Sequence, residues 1–223
     1  MMRLVLDVLL SIVIALPFSG CGAIRTTAHE PVGAAGLRPT QEDKDAGLVG
    51  ITPGLNLKEY RVIAVARFPV SPAEITNDDD KALAASMPTF LQSELVRRLR
   101  ATALFDDVVN LGETQFQQSG KPALRLEGTI TRLTGGSRAL RFWIGFGAGK
   151  SEAQIETRFV DISSGRVVMV TADRRVAAIS EALSLDYGGD SEGLLKQSFD
   201  NMARDFASFL VRLERNEAPK ANQ

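Results

Sequence analysis

Three successive segments decide the fold of this chain: Ala153-Gln-Ile-Glu-Thr-Arg-Phe159, Asp161-Ile-Ser-Ser-Gly165 and Val167-Val-Met-Val170. In the first segment, apolar or β-branched residues alternate with polar ones, which is the two-residue period of a β-strand. The second segment carries an aspartate, two serines and a glycine, which are the residues that tight turns favour. The third is a short apolar run of strand-forming residues. The sequence therefore predicts a β-hairpin across these segments.

Three further segments have the pattern of strands. Residues from Ala123 to Leu133 place leucine, glycine and isoleucine on one face and charged residues or threonines on the other. Residues from Tyr60 to Val70 are apolar on both faces, which is typical of a central strand covered on each side. The segment from Phe105 to Leu111 predicts a short strand.

Two segments have the period of a helix. From Asp190 to about Arg215, apolar residues recur at steps of three or four, and we expect this stripe to pack on the sheet. The stripe consists of Leu195, Phe199, Met202, Phe206, Phe209 and Leu213, with Leu210 beside it. In the other segment, leucine or methionine recurs every four residues up to Leu99, and three aspartates at its start complement the helix dipole. Pro88 is predicted to divide it into a short turn and a main helix that begins at the proline and ends near Arg100.

These elements together predict an α+β fold: a two-layer domain in which two main helices pack on a mixed, mostly antiparallel sheet. The predicted domain spans residues 59–216, and residues 217–223 are predicted to be a disordered tail. Residues 21–58 contain prolines and glycines without a sustained period of a strand or a helix. We therefore expect a flexible tether there.

The first twenty residues have the features of a secretory signal, with Arg3 near the start, an apolar run from Val8 to Pro17 and small residues before a cleavage site. The run is shorter than the ~20 residues that span hydrocarbon. The sequence Phe18-Ser-Gly-Cys21 resembles the signal of bacterial lipoproteins. This resemblance implies that Cys21 is acylated after removal of residues 1–20. Gly22 in place of an aspartate implies the outer membrane, with the domain anchored by its lipid and facing the periplasm.

Charge balance and the rarest residues exclude several function classes. Lys and Arg number 26 against 27 Asp and Glu, so a formal net charge of −1 provides no basic field for nucleic acid. A single cysteine and a single histidine exclude disulfide frameworks, cysteine-rich zinc sites and clusters of imidazoles within the chain. The histidine, His29, lies in the predicted tether, where nothing orients it as a base or a ligand. We therefore predict no metal, no cofactor and no catalytic residue.

A glycine-rich segment between Gly135 and Ser151 has an unusual composition. It contains three aromatic and three basic side chains and no acid: Arg138, Arg141, Phe142, Trp143, Phe146 and Lys150. Its last residues are similar to the end of a phosphate loop, but Ile144 stands where that motif needs its first glycine, and a strand rather than a helix follows. We therefore predict no nucleotide.

Two interpretations of this segment stay open. In one, it is a crossover whose aromatic side chains fold under the sheet and whose glycines permit unusual backbone angles. In the other, it is a contact surface, because aromatic side chains and arginines without acids are typical of interface centres and of membrane segments at headgroup level.

A resemblance to an uncharacterised family of bacterial lipoproteins, described only by a domain of unknown function, rests on three features. These are Arg141-Phe-Trp-Ile-Gly-Phe-Gly-Ala-Gly-Lys150, the strand after it and Asp161-Ile-Ser-Ser-Gly165. The resemblance covers about residues 60–215. More loosely, the order of elements is similar to that of periplasmic accessory domains such as those of the curli secretion lipoprotein and the Tol system. These similarities imply a partner-binding or assembly role and supply no catalytic residue.

We therefore expect a non-enzymatic, lipid-anchored protein of the cell envelope whose domain binds an envelope protein that the sequence does not identify. Two alternatives stay open. One is an oligomeric secretion component, which the looser similarity suggests. The other is a hydrolase of cell-wall or polysaccharide substrates, which needs two carboxylates that face one cleft. Its candidate carboxylates are Asp106, Asp107, Glu127, Asp161 and Asp173.

Overall fold

The computed structural model of the protein describes residues 37–116, 120–135, 151–177 and 190–220. In these residues, seven strands form one sheet, and two long helices pack on it. The strands are β1 Gln41–Asp43, β2 Gly47–Ile51, β3 Val62–Val65, β4 Asp107–Asn110, β5 Ala123–Thr134, β6 Ser151–Asp161 and β7 Val167–Ala177. The helices are α1 Asp78–Thr102 and α2 Ser191–Glu214, and two short 3₁₀ helices cover Leu57–Glu59 and Pro72–Glu74.

The strand order is β1-β2-β7-β6-β5-β3-β4. The four pairs from β1 to β5 are antiparallel, whereas β3 lies parallel to both β5 and β4. The predicted α+β class and the mixed, mostly antiparallel sheet are therefore confirmed. The predicted hairpin is formed by β6 and β7, and Gly165 closes its turn with a φ of +68°, a conformation that glycine adopts without strain.

The hydrophobic core lies between the helices and one face of the sheet. The apolar stripe of α2 is buried as predicted, except that Leu213 is only partly buried. The ring of Phe206 lies 5.8 Å from that of Phe159 on β6. On β5, the predicted apolar face is buried, with Leu124 and Ile130 fully covered. Each helix begins at a side-chain cap, since Asn77 accepts from the backbone of α1 and Asp190 from that of α2. The periodicity that indicated these elements therefore also indicated which side of each is buried.

Pro88 does not divide α1, so the predicted break is wrong. One continuous helix of 25 residues contains the proline, which is itself buried. A proline inside a helix costs about 3 kcal/mol through its missing N–H and its steric clash. Met87 and Leu91, on both sides of the proline, are fully buried in the core. We infer that this packing outweighs the local cost of the proline.

The described structure extends beyond the predicted domain boundaries at both ends. Residues of the predicted tether form β1 and β2, and β2 pairs with β7 from Gly47 to Ile51. At the other end, the carbonyl of Lys220 accepts a hydrogen bond of 2.6 Å from the backbone of Lys44. The domain therefore extends at least from Gln41 to Lys220. Residues 21–36 and 221–223 lie outside the described residues.

Candidate functional site

The site residues that the sequence predicted lie outside the described residues. These are Cys21 and the six side chains of the predicted interaction loop: Arg138, Arg141, Phe142, Trp143, Phe146 and Lys150. The structure does describe the base of that loop. The Ser151 hydroxyl donates to the Gly135 carbonyl at 2.8 Å, and a side chain at Gly135 would approach Ser191 at the start of α2. The end of β5 and the start of β6 thus lie beside the amino end of α2.

Two of the candidate carboxylates lie at the β4 edge of the sheet. Asp106 accepts from the guanidinium of Arg61 at 2.5 and 3.1 Å and from Lys121 at 3.3 Å. The hydrogen bonds from Arg61 lower the pKa of Asp106 below its usual value. Asp107 is the exposed first residue of β4. Both carboxylates are at the surface, and Asp106 is already paired with two cations.

The other candidates lie elsewhere. Glu127 on β5 pairs with Arg125 on its own strand and with Arg158 on β6. Asp173 on β7 is 6 % exposed and accepts two hydrogen bonds from Arg175. Burial raises the pKa of Asp173 above its usual value, against the attraction of Arg175. The structure therefore does not bring these carboxylates together in one cleft.

Asp161 combines the predicted role in a turn with a contact that the sequence did not indicate. Its Oδ1 accepts hydrogen bonds from the backbone of Ser163 and Ser164 at 2.8 and 2.9 Å, which closes the β6–β7 turn. Its Oδ2 accepts a hydrogen bond of 2.9 Å from the hydroxyl of Tyr60, at the amino end of β3. The two residues are 101 positions apart, and only the pairing of β3, β5 and β6 brings them together.

A small pocket opens beside this contact, between the loop that follows β2 and the β6–β7 turn. Its volume is about 200 Å³, and its polar lining residues are Thr52, Asn56, Glu59, Tyr60, Asp161 and Ser164, together with Arg166. The sequence pattern predicts a strand at Tyr60 and a turn at Asp161. No spacing within either segment indicated a shared pocket.

A second group of charges joins the two ends of the described chain, and we name it the terminal clasp. It consists of Asp43, Asp45, Arg212 and Lys220. Arg212 donates to Asp43 at 2.8 Å and to Asp45 at 2.7 Å, while the backbone of Lys220 donates to Asp43 at 2.8 Å. The side chain of Asp43 is fully buried. The clasp attaches the carboxyl end of α2 to the β1–β2 turn.

The described ranges contain neither a candidate metal cluster nor a helix that could span a membrane. In the described ranges, no group of three or more histidine, cysteine, aspartate or glutamate side chains could hold a metal ion. Neither α1 nor α2 is long and apolar enough to span a bilayer.

A family model for a domain of unknown function, DUF4410, matches residues 63–180, which is more than half of the chain. The chain belongs to this family. The match confirms the resemblance to a domain of unknown function. The lipoprotein part of that resemblance, the Arg141–Lys150 motif and the similarity to curli and Tol domains stay predictions. No curated protein matches this DUF4410 chain.

Several solved structures are similar to this DUF4410 protein. The PelC dodecamer from Paraburkholderia phytofirmans is 17 % identical, with a TM-score of 0.42, over 70 % of this chain and 98 % of PelC. Protein XCC0632 from Xanthomonas campestris, of family DUF330, is 10 % identical, with a TM-score of 0.43, over 74 % of this chain and 91 % of XCC0632. A minor lipoprotein from Acinetobacter baumannii is 13 % identical, with a TM-score of 0.34, over 74 % of this chain and 98 % of the lipoprotein. These values are too low to transfer a function.

Proposed function

We propose that this DUF4410 protein is a lipid-anchored protein of the outer membrane, whose periplasmic domain binds an envelope protein and catalyses no reaction. The observation that carries the proposal is Phe18-Ser-Gly-Cys21, in which the single cysteine of the chain follows small residues at the end of an apolar signal. Acyl chains contribute about 0.8 kcal/mol for each buried methylene, and several chains on one cysteine anchor a protein stably.

The composition of the 138–150 segment supports a binding role. Arg138, Arg141 and Trp143 belong to residue types that contribute ≥2 kcal/mol at the centres of many interfaces. The base of this segment is closed by the hydrogen bond between Ser151 and Gly135. This base lies beside the amino end of α2.

The positions of the candidate carboxylates support a domain that catalyses no reaction. A paired-carboxylate hydrolase needs two side chains that face one cleft. Asp106 and Glu127 are each paired with two cations, and Asp173 is buried beside Arg175. Of the five candidates, Asp161 alone lines the pocket at Tyr60, and the other carboxylate of that lining, Glu59, accepts a hydrogen bond from Asn56.

Removal of the acylation site tests the anchor. The Cys21→Ser variant should take up no fatty-acid label and should be absent from the outer-membrane fraction. The control His29→Ser, eight residues later, should behave like the wild type. Labelling with a fatty-acid probe and density-gradient fractionation measure both effects. A Cys21→Ser protein that is still labelled and still sediments with outer membranes would refute the anchor.

Charge reversal tests the contact surface. The Arg138→Glu and Arg141→Glu double variant should lose the crosslink that a photoreactive probe at Trp143 forms in cells, with little change in thermal stability. The matched control is Arg67→Glu with Lys81→Glu, which reverses two exposed charges elsewhere. If the first double variant is destabilised but still forms the crosslink, the segment is a packed crossover and the proposed surface is wrong.

A further inference from the structure

The pocket at Tyr60 contains an anion that its own turn holds in place. Oδ1 of Asp161 accepts hydrogen bonds from the backbone of Ser163 and Ser164 and from the Ser163 hydroxyl, so its acceptor capacity is used. Oδ2 accepts one hydrogen bond, from Tyr60, and has room for a second. Burial alone would raise the pKa of Asp161, but the hydrogen bonds from Ser163, Ser164 and Tyr60 outweigh it and lower this pKa to about 2. The carboxylate is therefore charged at neutral pH.

Tyr60 is held as a hydrogen-bond donor to this anion. Burial and the bond to Asp161 raise the pKa of Tyr60 to about 12, so its hydroxyl is protonated at neutral pH. Since its proton points to Asp161, the lone pairs of its oxygen can accept from a ligand. Tyr60 and Asp161 together therefore present two acceptors to a donor that enters the pocket.

Arg166 supplies an available cation on the opposite side of the β6–β7 turn. Its backbone N–H donates to the Ser164 hydroxyl. Arg166 is exposed and lines the pocket, and its guanidinium forms no hydrogen bond or ion pair with the part of the chain that the structure describes. A guanidinium binds phosphate or carboxylate oxygens through two parallel hydrogen bonds. The pocket thus presents the Arg166 cation and the fixed Asp161 anion to the same small volume, with the Glu59 carboxylate also in its lining.

We propose that this pocket binds a small zwitterion in which a primary ammonium group is joined to a phosphate, as in phosphoethanolamine. The phosphate contacts Arg166, and the ammonium group donates to Oδ2 of Asp161 and to the oxygen of Tyr60. The volume of about 200 Å³ is smaller than that of pockets for drug-sized ligands, about 300–1,000 Å³, so a single headgroup fits better than a larger ligand.

The source of this group is either a soluble molecule or a phospholipid headgroup. The chain that precedes β1 leaves the domain at the pocket's end of β2, because Thr40 donates to the Val49 carbonyl and the Arg38 carbonyl lies against Gly50. Thr52, directly after β2, lines the pocket. The described part of the chain therefore begins at this end of the domain. The proposed binding itself depends on the pocket residues alone and holds whether or not the protein is anchored.

Isothermal titration of the full chain in detergent tests the ligand chemistry. O-phosphoethanolamine should bind saturably. Phosphocholine should bind about tenfold more weakly, because its quaternary ammonium has no N–H to donate to Asp161. Inorganic phosphate should also bind about tenfold more weakly, because it lacks the ammonium group that donates to Asp161. Equal affinity for all three probes, or no saturable binding of O-phosphoethanolamine, would overturn the proposal.

Variants of the pocket test its residues. Arg166→Gln should weaken binding of O-phosphoethanolamine about tenfold through loss of the charge-assisted hydrogen bonds, and Arg166→Lys should weaken it less. Tyr60→Phe should also weaken binding, since it removes one acceptor. The matched control Arg67→Gln removes an exposed arginine beyond the carboxyl end of β3 and should leave binding unchanged. Unchanged affinity in a folded Arg166→Gln protein would overturn the proposal.

A competition experiment distinguishes the two sources. The full chain is reconstituted in vesicles of phosphatidylcholine, with or without phosphatidylethanolamine, and titrated with O-phosphoethanolamine. A weaker apparent affinity in the phosphatidylethanolamine vesicles supports the pocket as a headgroup site. Equal affinity in both vesicles supports a soluble ligand. Absence of saturable binding in the phosphatidylcholine vesicles overturns the proposal.

Discussion

The middle of α2 and its carboxyl end are attached to the sheet by different interactions. In the middle, Phe206 is 3 % exposed and packs against Phe159 and Phe209. At the end, the guanidinium of Arg212 bridges Asp43 and Asp45 of the terminal clasp. Apolar packing follows from a local period and is non-directional. Ion pairs need partners at fixed positions, and the partners of Arg212 lie 169 and 167 residues away.

The largest effect is expected in the middle of the helix. Phe206→Ala should lower the free energy of unfolding by about 3–5 kcal/mol, because it removes buried apolar surface and leaves a cavity. Phe206→Leu is the control, since it keeps most of the volume and should cost about 1.5 kcal/mol or less. Denaturant unfolding of the three proteins measures the difference. If Phe206→Ala unfolds at the same denaturant concentration as the wild type, this stripe does not hold the helix to the sheet.

A smaller but clear effect is expected at the clasp. Asp43→Ala should cost about 3 kcal/mol, the lower end of the range for breaking a buried ion pair, because Arg212 keeps Asp45 as a partner. The backbone N–H of Lys220 also loses its acceptor. Asp45→Ala is the matched control and should cost less, since the side chain of Asp45 is partly exposed. Equal losses in the two variants would show that burial does not decide the strength of the clasp.

The pH dependence should separate the clasp from a second buried carboxylate. Burial would raise the pKa of Asp43, but hydrogen bonds from Arg212, Lys220 and Asp45 outweigh it and lower the pKa below 3.8. Asp43 therefore contributes stability above that pH, and the contribution is lost on acidification. Burial raises the pKa of Asp173, so its contribution is present at low pH and is lost as the pH rises.

The measurement is the free energy of unfolding of the wild type minus that of each asparagine variant, at pH values from about 3 to 6. The difference should grow with pH for Asp43→Asn and should shrink with pH for Asp173→Asn. Phe206→Leu changes no titratable group and supplies a baseline. Slopes of the same sign for both asparagine variants would contradict the opposite pKa shifts of Asp43 and Asp173.

The smallest effect is expected for an exposed ion pair at the same end of α2. Lys58 and Glu214 lie 3.8 Å apart, with side chains 55 % and 29 % exposed. Glu214→Gln should change the free energy of unfolding by about 0.5 kcal/mol or less, and the change should vanish in high salt. A cost comparable to that of Asp43→Ala would mean that charge, and not burial, sets the strength of these contacts.

The elements that sequence reasoning predicted correctly are those with a complete local signal. β5 alternates along its length, the β6–β7 turn contains Asp161 and Gly165, and α2 carries an uninterrupted stripe. The break at Pro88 was wrong because a local cost was weighed without the core that packs against both sides of the proline. β1 was missed because it has three residues, two of them exposed, and no apolar alternation.

The same distinction between local signals and distant contacts applies to the candidate site. The acylation signal at Cys21 and the composition of the 138–150 segment can be read from consecutive residues, and both predictions lie outside the described structure. The pocket at Tyr60 could not be predicted, because its residues come from two segments about a hundred positions apart. Neither segment shows that Tyr60 donates to Asp161 or that the guanidinium of Arg166 has no partner in the described residues.

The sequence by itself determined the α+β class, the β6–β7 hairpin and the buried sides of β5 and α2. Hydrophobic period and turn chemistry are properties of neighbouring residues, so a chain displays them before it folds. Only the tertiary structure decided that β1 and β2 extend the sheet, that Asp43 closes the clasp with Arg212, and that Asp173 is buried. Hydrogen bonds and ion pairs act over a few ångströms, and sheet pairing alone determines which distant residues come within that range.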